Sequence, residues 1–150
     1  MSAEKIINDK ILESVNIFLM TQVKNIEDLA DVKKLVDNFY GKVREDAVLK
    51  DIFNNVIQNR WPEHLEKMYR FWQTVLLGEH TYYGSPFPPH AKLPVDEEHF
   101  NQWLKLFFET VDEHFTGEKA QRAKWQGERM AEMFLSKIQY FRDYSITPIS

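Results

Sequence analysis

The chain reads as an all-helical domain in which two antiparallel helix pairs cross over one interior. Apolar residues recur at spacings of three and four almost throughout, and no run alternates as a half-buried strand would. Helix start and stop signals bracket the apolar stripes. With 150 residues, one domain of this kind can bury a sizeable core.

The elements follow in order. Residues 1–24 carry Ile6, Ile7, Ile11, Leu12, Val15, Phe18 and Leu19 at amphipathic spacing, and are expected as a helical extension outside the main core. The main domain is expected over 25–144 and a frayed tail over 145–150, from Ile146 to Ser150. A helix from about Ile26 to Glu45 would take Asn25 as N-cap and bury Val32, Leu35, Val36, Phe39, Tyr40 and Val43. A short helical turn covers Ala47 to Phe53, after which Asn54-Asn55 and Gln58-Asn59 mark a turn. The next helix begins near Pro62, tolerated in a first turn, and stops at Gly78. A proline-bearing connection fills 79–95, a length that often carries function. Asp96 caps the following helix, with Val95 and Phe100 as a hydrophobic staple. That helix presents Phe100, Trp103, Leu104, Phe107, Phe108, Val111 and Phe115, and stops at Gly117. The last helix, Glu118 to about Tyr144, places Trp125, Met130, Met133, Phe134, Ile138 and Phe141 in the core.

Composition narrows the function classes. The net charge of −4, without a basic cluster, argues against a nucleic-acid footprint. There is no cysteine, which removes disulfides, thiolate metal sites, a thiol nucleophile and thioether attachment of a haem. No stretch approaches the roughly 20 apolar residues that cross a bilayer, and the start lacks a signal-peptide pattern, so a soluble cytoplasmic protein is expected. The 11 Phe, 6 Tyr and 4 Trp suit a slot for a flat ligand, as they equally suit an aromatic core.

Four polar side chains stand out against this background. His90 sits in Pro86-Phe87-Pro88-Pro89-His90-Ala91-Lys92-Leu93-Pro94, where prolines leave the backbone little freedom and hold the imidazole still. Such a ring can be the one protein bond to an iron-bearing cofactor, or an ordinary loop histidine. His64 begins the series His64, Met68, Phe71, Trp72, Val75 and so projects from a core-facing stripe. Tyr40 lies one turn after Val36, and Trp103 lies between Phe100 and Phe107. Each has a plain reading as a half-exposed or core residue with a backbone partner. Taken together, three donors on three helices could converge on one spot opposite His90, a cavity in which an iron keeps an open position and an O₂ ligand gaining negative charge is stabilised. His80, His99 and His114 fit solvated or helix-end roles, and no two histidines share a zinc-ligand spacing.

Residues 27–142 resemble the third group of truncated haemoglobins. The likeness is carried by Asn38-Phe39-Tyr40-Gly41-Lys42-Val43-Arg44, Ile52-Phe53-Asn54-Asn55, His64 through Met68 to Phe71-Trp72, Leu76-Leu77-Gly78-Glu79, Tyr82-Tyr83-Gly84-Ser85-Pro86, His90-Ala91-Lys92-Leu93-Pro94 and Phe100 through Trp103 to Phe107. The resemblance implies a shortened globin fold, a two-over-two helical sandwich enclosing non-covalent haem b. It implies His90 as the proximal iron ligand, and Tyr40, His64 and Trp103 as distal residues. Phe39, Phe53, Met68, Trp72, Leu93 and Phe107 match haem-packing positions. Glycine pairs around the distal helix are missing, as in this group. Met68 replaces an ordinary isoleucine or leucine, and the first 20 or so residues exceed what the family needs.

The function so implied is reversible binding of O₂, CO and NO at a five-coordinate iron. An enzymatic alternative is NO detoxification or peroxidase-like reduction, with electrons from an external reductase, since no nucleotide-binding fingerprint is present. A haem-free helical interaction module is the third reading, and would be colourless.

Overall fold

The computed structural model describes residues 2–144, with the side chains of 18–22 outside the description. Its helices are α1 (Ala3–Gln22), α2 (Leu29–Val43), α3 (Lys50–Ile57), α4 (Trp61–Leu77), α5 (Glu97–His114) and α6 (Glu118–Tyr144), with a 3₁₀ turn at Pro88–His90. Among the described residues there is no strand beyond an isolated bridge between Lys24 and Phe115. Helix α2 packs on α4 and α5 on α6, and the two pairs meet where α2 touches α5 and α4 touches α6. This is the two-over-two arrangement expected.

The α2 stripe is the backbone of the core. Val32, Leu35, Val36, Phe39, Tyr40 and Val43 are all at most 6% exposed, following i, i+3, i+4, i+7, i+8, i+11. Its start differs from expectation. Asp28, not Asn25, caps α2, accepting from the Asp31 amide at 3.0 Å. Asn25 accepts instead from the Lys119 amide at 3.2 Å and so caps α6. Gly117, φ +103°, allows this: a Cβ there would lie 3.1 Å from Asn25 Cγ.

The next segment also shifts. The Asp46 carboxylate accepts from the Val48 and Leu49 amides at 3.0 and 3.1 Å, which delays the helix to Lys50. Asn54 and Asn55, expected in a turn, therefore lie inside α3, and the turn falls at Gln58 with φ 56°. Helix α4 keeps its expected ends, with Pro62 in the first turn and Gly78 at φ +68° as C-cap. Asp96 occupies the N-cap position of α5, and its amide donates to His99 Nδ1 at 2.9 Å, so His99 completes a capping box rather than standing solvated.

Helix α6 corrects the expected core. Trp125 and Met133 are 46% and 41% exposed, with Trp125 lying under the Arg122 and Arg129 guanidinium groups. Phe134 and Ile138 are buried as expected, and the rest of the inner face is Ala120, Ala123, Gly127 and Ala131. Small residues let α6 approach α5 closely: a Cβ on Gly127 would meet the Phe107 ring at 3.2 Å. Bulk alone misplaces that face.

The extension does form helix α1, and Ile6, Ile7, Ile11, Leu12 and Val15 remain 42–60% exposed. Phe18 and Leu19 lie outside the described side chains, and the tail from Ile146 to Ser150 lies outside the described residues. No described helix is long and apolar enough to cross a membrane.

Candidate functional site

Between the two helix pairs lies a cavity with about 890 Å³ of empty space, part of it continuous with solvent. Tyr40 from α2, His64, Met68 and Trp72 from α4, His90 and Leu93 from the connection, and Trp103 from α5 all line it. The four polar groups singled out from the sequence thus reach one space, and His99, expected to be solvated, lines it as well.

The connection holds His90 by its backbone. The His90 amide donates to the Phe87 carbonyl at 2.8 Å and the Ala91 amide to Pro88 at 3.3 Å, closing a turn on proline-restricted residues. Its ring Nδ1 bonds the Pro86 carbonyl. A carbonyl only accepts, so Nδ1 carries the proton and Nε2 keeps its lone pair. Burial pushes the His90 pKa down, against the opposing pull of that carbonyl, which favours the neutral ring. The Phe134 ring lies 4.8 Å away and flanks it. A neutral imidazole with one nitrogen tied to a carbonyl is the form in which histidines ligate metals.

The α4 side is arranged differently. The His64 ring stands edge-on to Tyr40 at 5.1 Å and to Trp61 at 5.6 Å. Trp61 is fixed by its N–H to Asn54 Oδ1 at 3.3 Å and by the Arg44 guanidinium at 4.5 Å. His64 Nε2 is buried without a hydrogen-bond partner, alone in this among the described residues. Burial first, then the positive potential of His90, Lys67 and Arg60, pushes the His64 pKa down to about 4, so the ring is neutral near pH 7. Burial alone raises the Tyr40 phenol, which stays protonated and able to donate. An unpaired buried polar atom costs about 1–3 kcal/mol, so His64 Nε2 favours a water or a guest able to hydrogen-bond it.

Two expected packing residues stand back from the cavity. Phe39 and Phe107 do not line it; they form the layer behind, with Phe39 edge-on to Tyr40 and Trp103 and Phe107 stacked on Trp72 and Trp103. Phe53 lines the cavity as expected. Sequence reasoning missed Trp61 and Phe134 as supports for the two histidines, although their aromatic positions on apolar stripes were visible. Among the described residues no three His, Asp or Glu side chains gather as a metal site.

The family model described as bacterial-like globin matches residues 24–136. The chain is 45% identical over 85 residues to the group 3 truncated hemoglobin ctb of Campylobacter jejuni, covering 54% of this chain and 67% of that relative. The crystal structure of group III truncated hemoglobin from Campylobacter jejuni is similar with a TM-score of 0.69 at 35% identity, over 75% of this chain and 92% of that one.

Proposed function

The chain belongs to the bacterial-like globin family, among the group 3 truncated haemoglobins, and from that premise we propose that it holds haem b non-covalently and binds O₂, CO and NO reversibly at a five-coordinate iron. Haem-based binding of diatomic gases is the property of the family; the pocket's donor set supports the finer reading. One observation carries it: His90, with Nδ1 engaged at Pro86, shares a cavity with His64, whose buried Nε2 has no partner.

The residues fit the group. His90 would hold the iron through Nε2, and with no cysteine in the chain the attachment would rest on this bond and on packing. Phe53, Met68, Trp72 and Leu93 would pack against the porphyrin, with Phe39 and Phe107 as their backing. When bound, haem supplies an iron with a vacant position for a diatomic ligand. The Tyr40 hydroxyl and Trp103 N–H donate towards a guest that carries partial negative charge, which slows its escape. His64, neutral at pH 7, donates as well or gates entry. The extension over 1–24, the domain over 25–144, the tail and a cytoplasmic location belong to the same proposal.

Strong retention favours ligand chemistry over delivery, which is the reason to keep an enzymatic second reading, NO oxidation or peroxidase-like reduction fed by a reductase. Purified protein supplied with haemin should develop a Soret band and distinct ferrous, CO and O₂ spectra. Absence of that band would sink the haem reading in favour of a haem-free module. Mixing the oxygenated protein with NO beside a reductase then separates binding, one equivalent of nitrate, from catalysis, many equivalents.

A further inference from the structure

We propose that Arg142, in the last turn of α6, is a positioning residue for His90, acting through the backbone of residues 91–96. The inference rests on reading His90 as the haem ligand. One guanidinium nitrogen of Arg142, Nη2, donates to the Leu93 carbonyl at 2.9 Å and to the Val95 carbonyl at 2.8 Å. The other, Nη1, donates to Asp96 Oδ1 at 2.9 Å. The Leu93 amide in turn donates to the His90 carbonyl at 3.1 Å, so the Leu93 residue is tied to His90 on one side and to α6 on the other.

Leu93 and Val95 both line the cavity, and Pro94 between them restricts the backbone further. Two turns earlier on the same helix, Phe134 flanks the His90 ring. Helix α6 therefore steadies the imidazole directly and its mounting indirectly. The guanidinium is planar, permanently charged and forked, which suits three separated oxygens; an ammonium on a flexible stem cannot hold all three at once. Arg142 itself lies beyond residue 136, where the family match ends, while its partners at 93, 95 and 96 lie within it.

The test uses the full chain loaded with haemin. Haemin release to an excess of a scavenging apoglobin is measured for wild type, Arg142→Gln, Arg142→Lys and Asp96→Asn. Both Arg142 variants should release haemin about ten-fold faster, equivalent to about 1.4 kcal/mol. Asp96→Asn keeps the helix cap and both carbonyl bonds, and should stay near the wild-type rate. The iron–imidazole stretching band of the ferrous protein should shift in Arg142→Gln, a change that general loosening of a helix end would not produce. An unchanged rate and band in Arg142→Gln, or an Asp96→Asn rate equal to it, would overturn the proposal. If wild type takes up no haemin, the functional reading fails instead. Amide exchange at Leu93 in the haem-free chain then still reads the tie, faster in Arg142→Gln if it holds and unchanged if it does not.

Discussion

His90 and His64 line one cavity, yet the protein treats the two imidazoles differently. His90 has a bonded backbone, a carbonyl on Nδ1, an aromatic neighbour and prolines before and after it. His64 has aromatic walls and a buried nitrogen that nothing answers. One wall is finished by the chain itself; the other is left incomplete at its polar tips. A permanent occupant is best held by the finished wall, where nothing needs to reorganise. A transient occupant is best received by the incomplete wall, where each unpaired donor gains a partner when the guest arrives.

The largest test of this contrast removes the imidazole of the finished wall. His90→Gly should abolish stable haemin retention, and added imidazole should restore it; undiminished retention would show that the difference between the walls does not concern the iron. Next in size, Tyr40→Phe should raise the O₂ dissociation rate by about ten-fold, the loss of a hydrogen bond of about 1.4 kcal/mol. Stopped-flow displacement of O₂ by CO measures it, and an unchanged rate would assign the stabilisation to Trp103 or His64.

A pH titration sharpens the comparison further. The folded-state pKa of His64 lies at about 4, below its ordinary 6.5, so on acidification the unfolded chain takes up the proton first. Stability of the haem-free protein should therefore be fully present above pH 6.5 and fall as the pH drops towards 4. His64→Leu should flatten part of that slope in urea titrations, while the remainder belongs to His90 and His114, whose pKa values burial also lowers. A slope that is the same in the variant would mean that His64 is already hydrated or paired in solution. The smallest effect is expected far from both walls: Trp125→Ala on the outer face of α6 should change stability by no more than about 0.5 kcal/mol. A larger loss in thermal unfolding would show that the cation–π contacts over Trp125 matter to the fold.

Much of this arrangement was legible in the residues. The α2 stripe, the Pro62 and Gly78 ends of α4 and the Asp96 cap depend on interactions within a few positions of each other, which sequence spacing encodes. The proline-crowded His90 was legible for the same reason. Asn25 shows where legibility stops: it has the chemistry of a cap but serves α6, 94 residues away, because the fold brings the Lys119 amide to it. Phe39 and Phe107 show the same for the cavity, since periodicity places a ring on the inner face without telling the wall from the layer behind it.

Local rules acting on neighbours in the chain thus determined that the protein is helical, where most helices begin and end, and that one histidine is mounted rigidly. Tertiary packing decided the rest: the Ala and Gly face of α6, the outward turn of Trp125, the loneliness of His64 Nε2 and the reach of Arg142 to the His90 segment. The physical reason is that burial, and the choice of a hydrogen-bond partner, are set by what lies across space, and a bulky or polar residue carries no record of its distant neighbour.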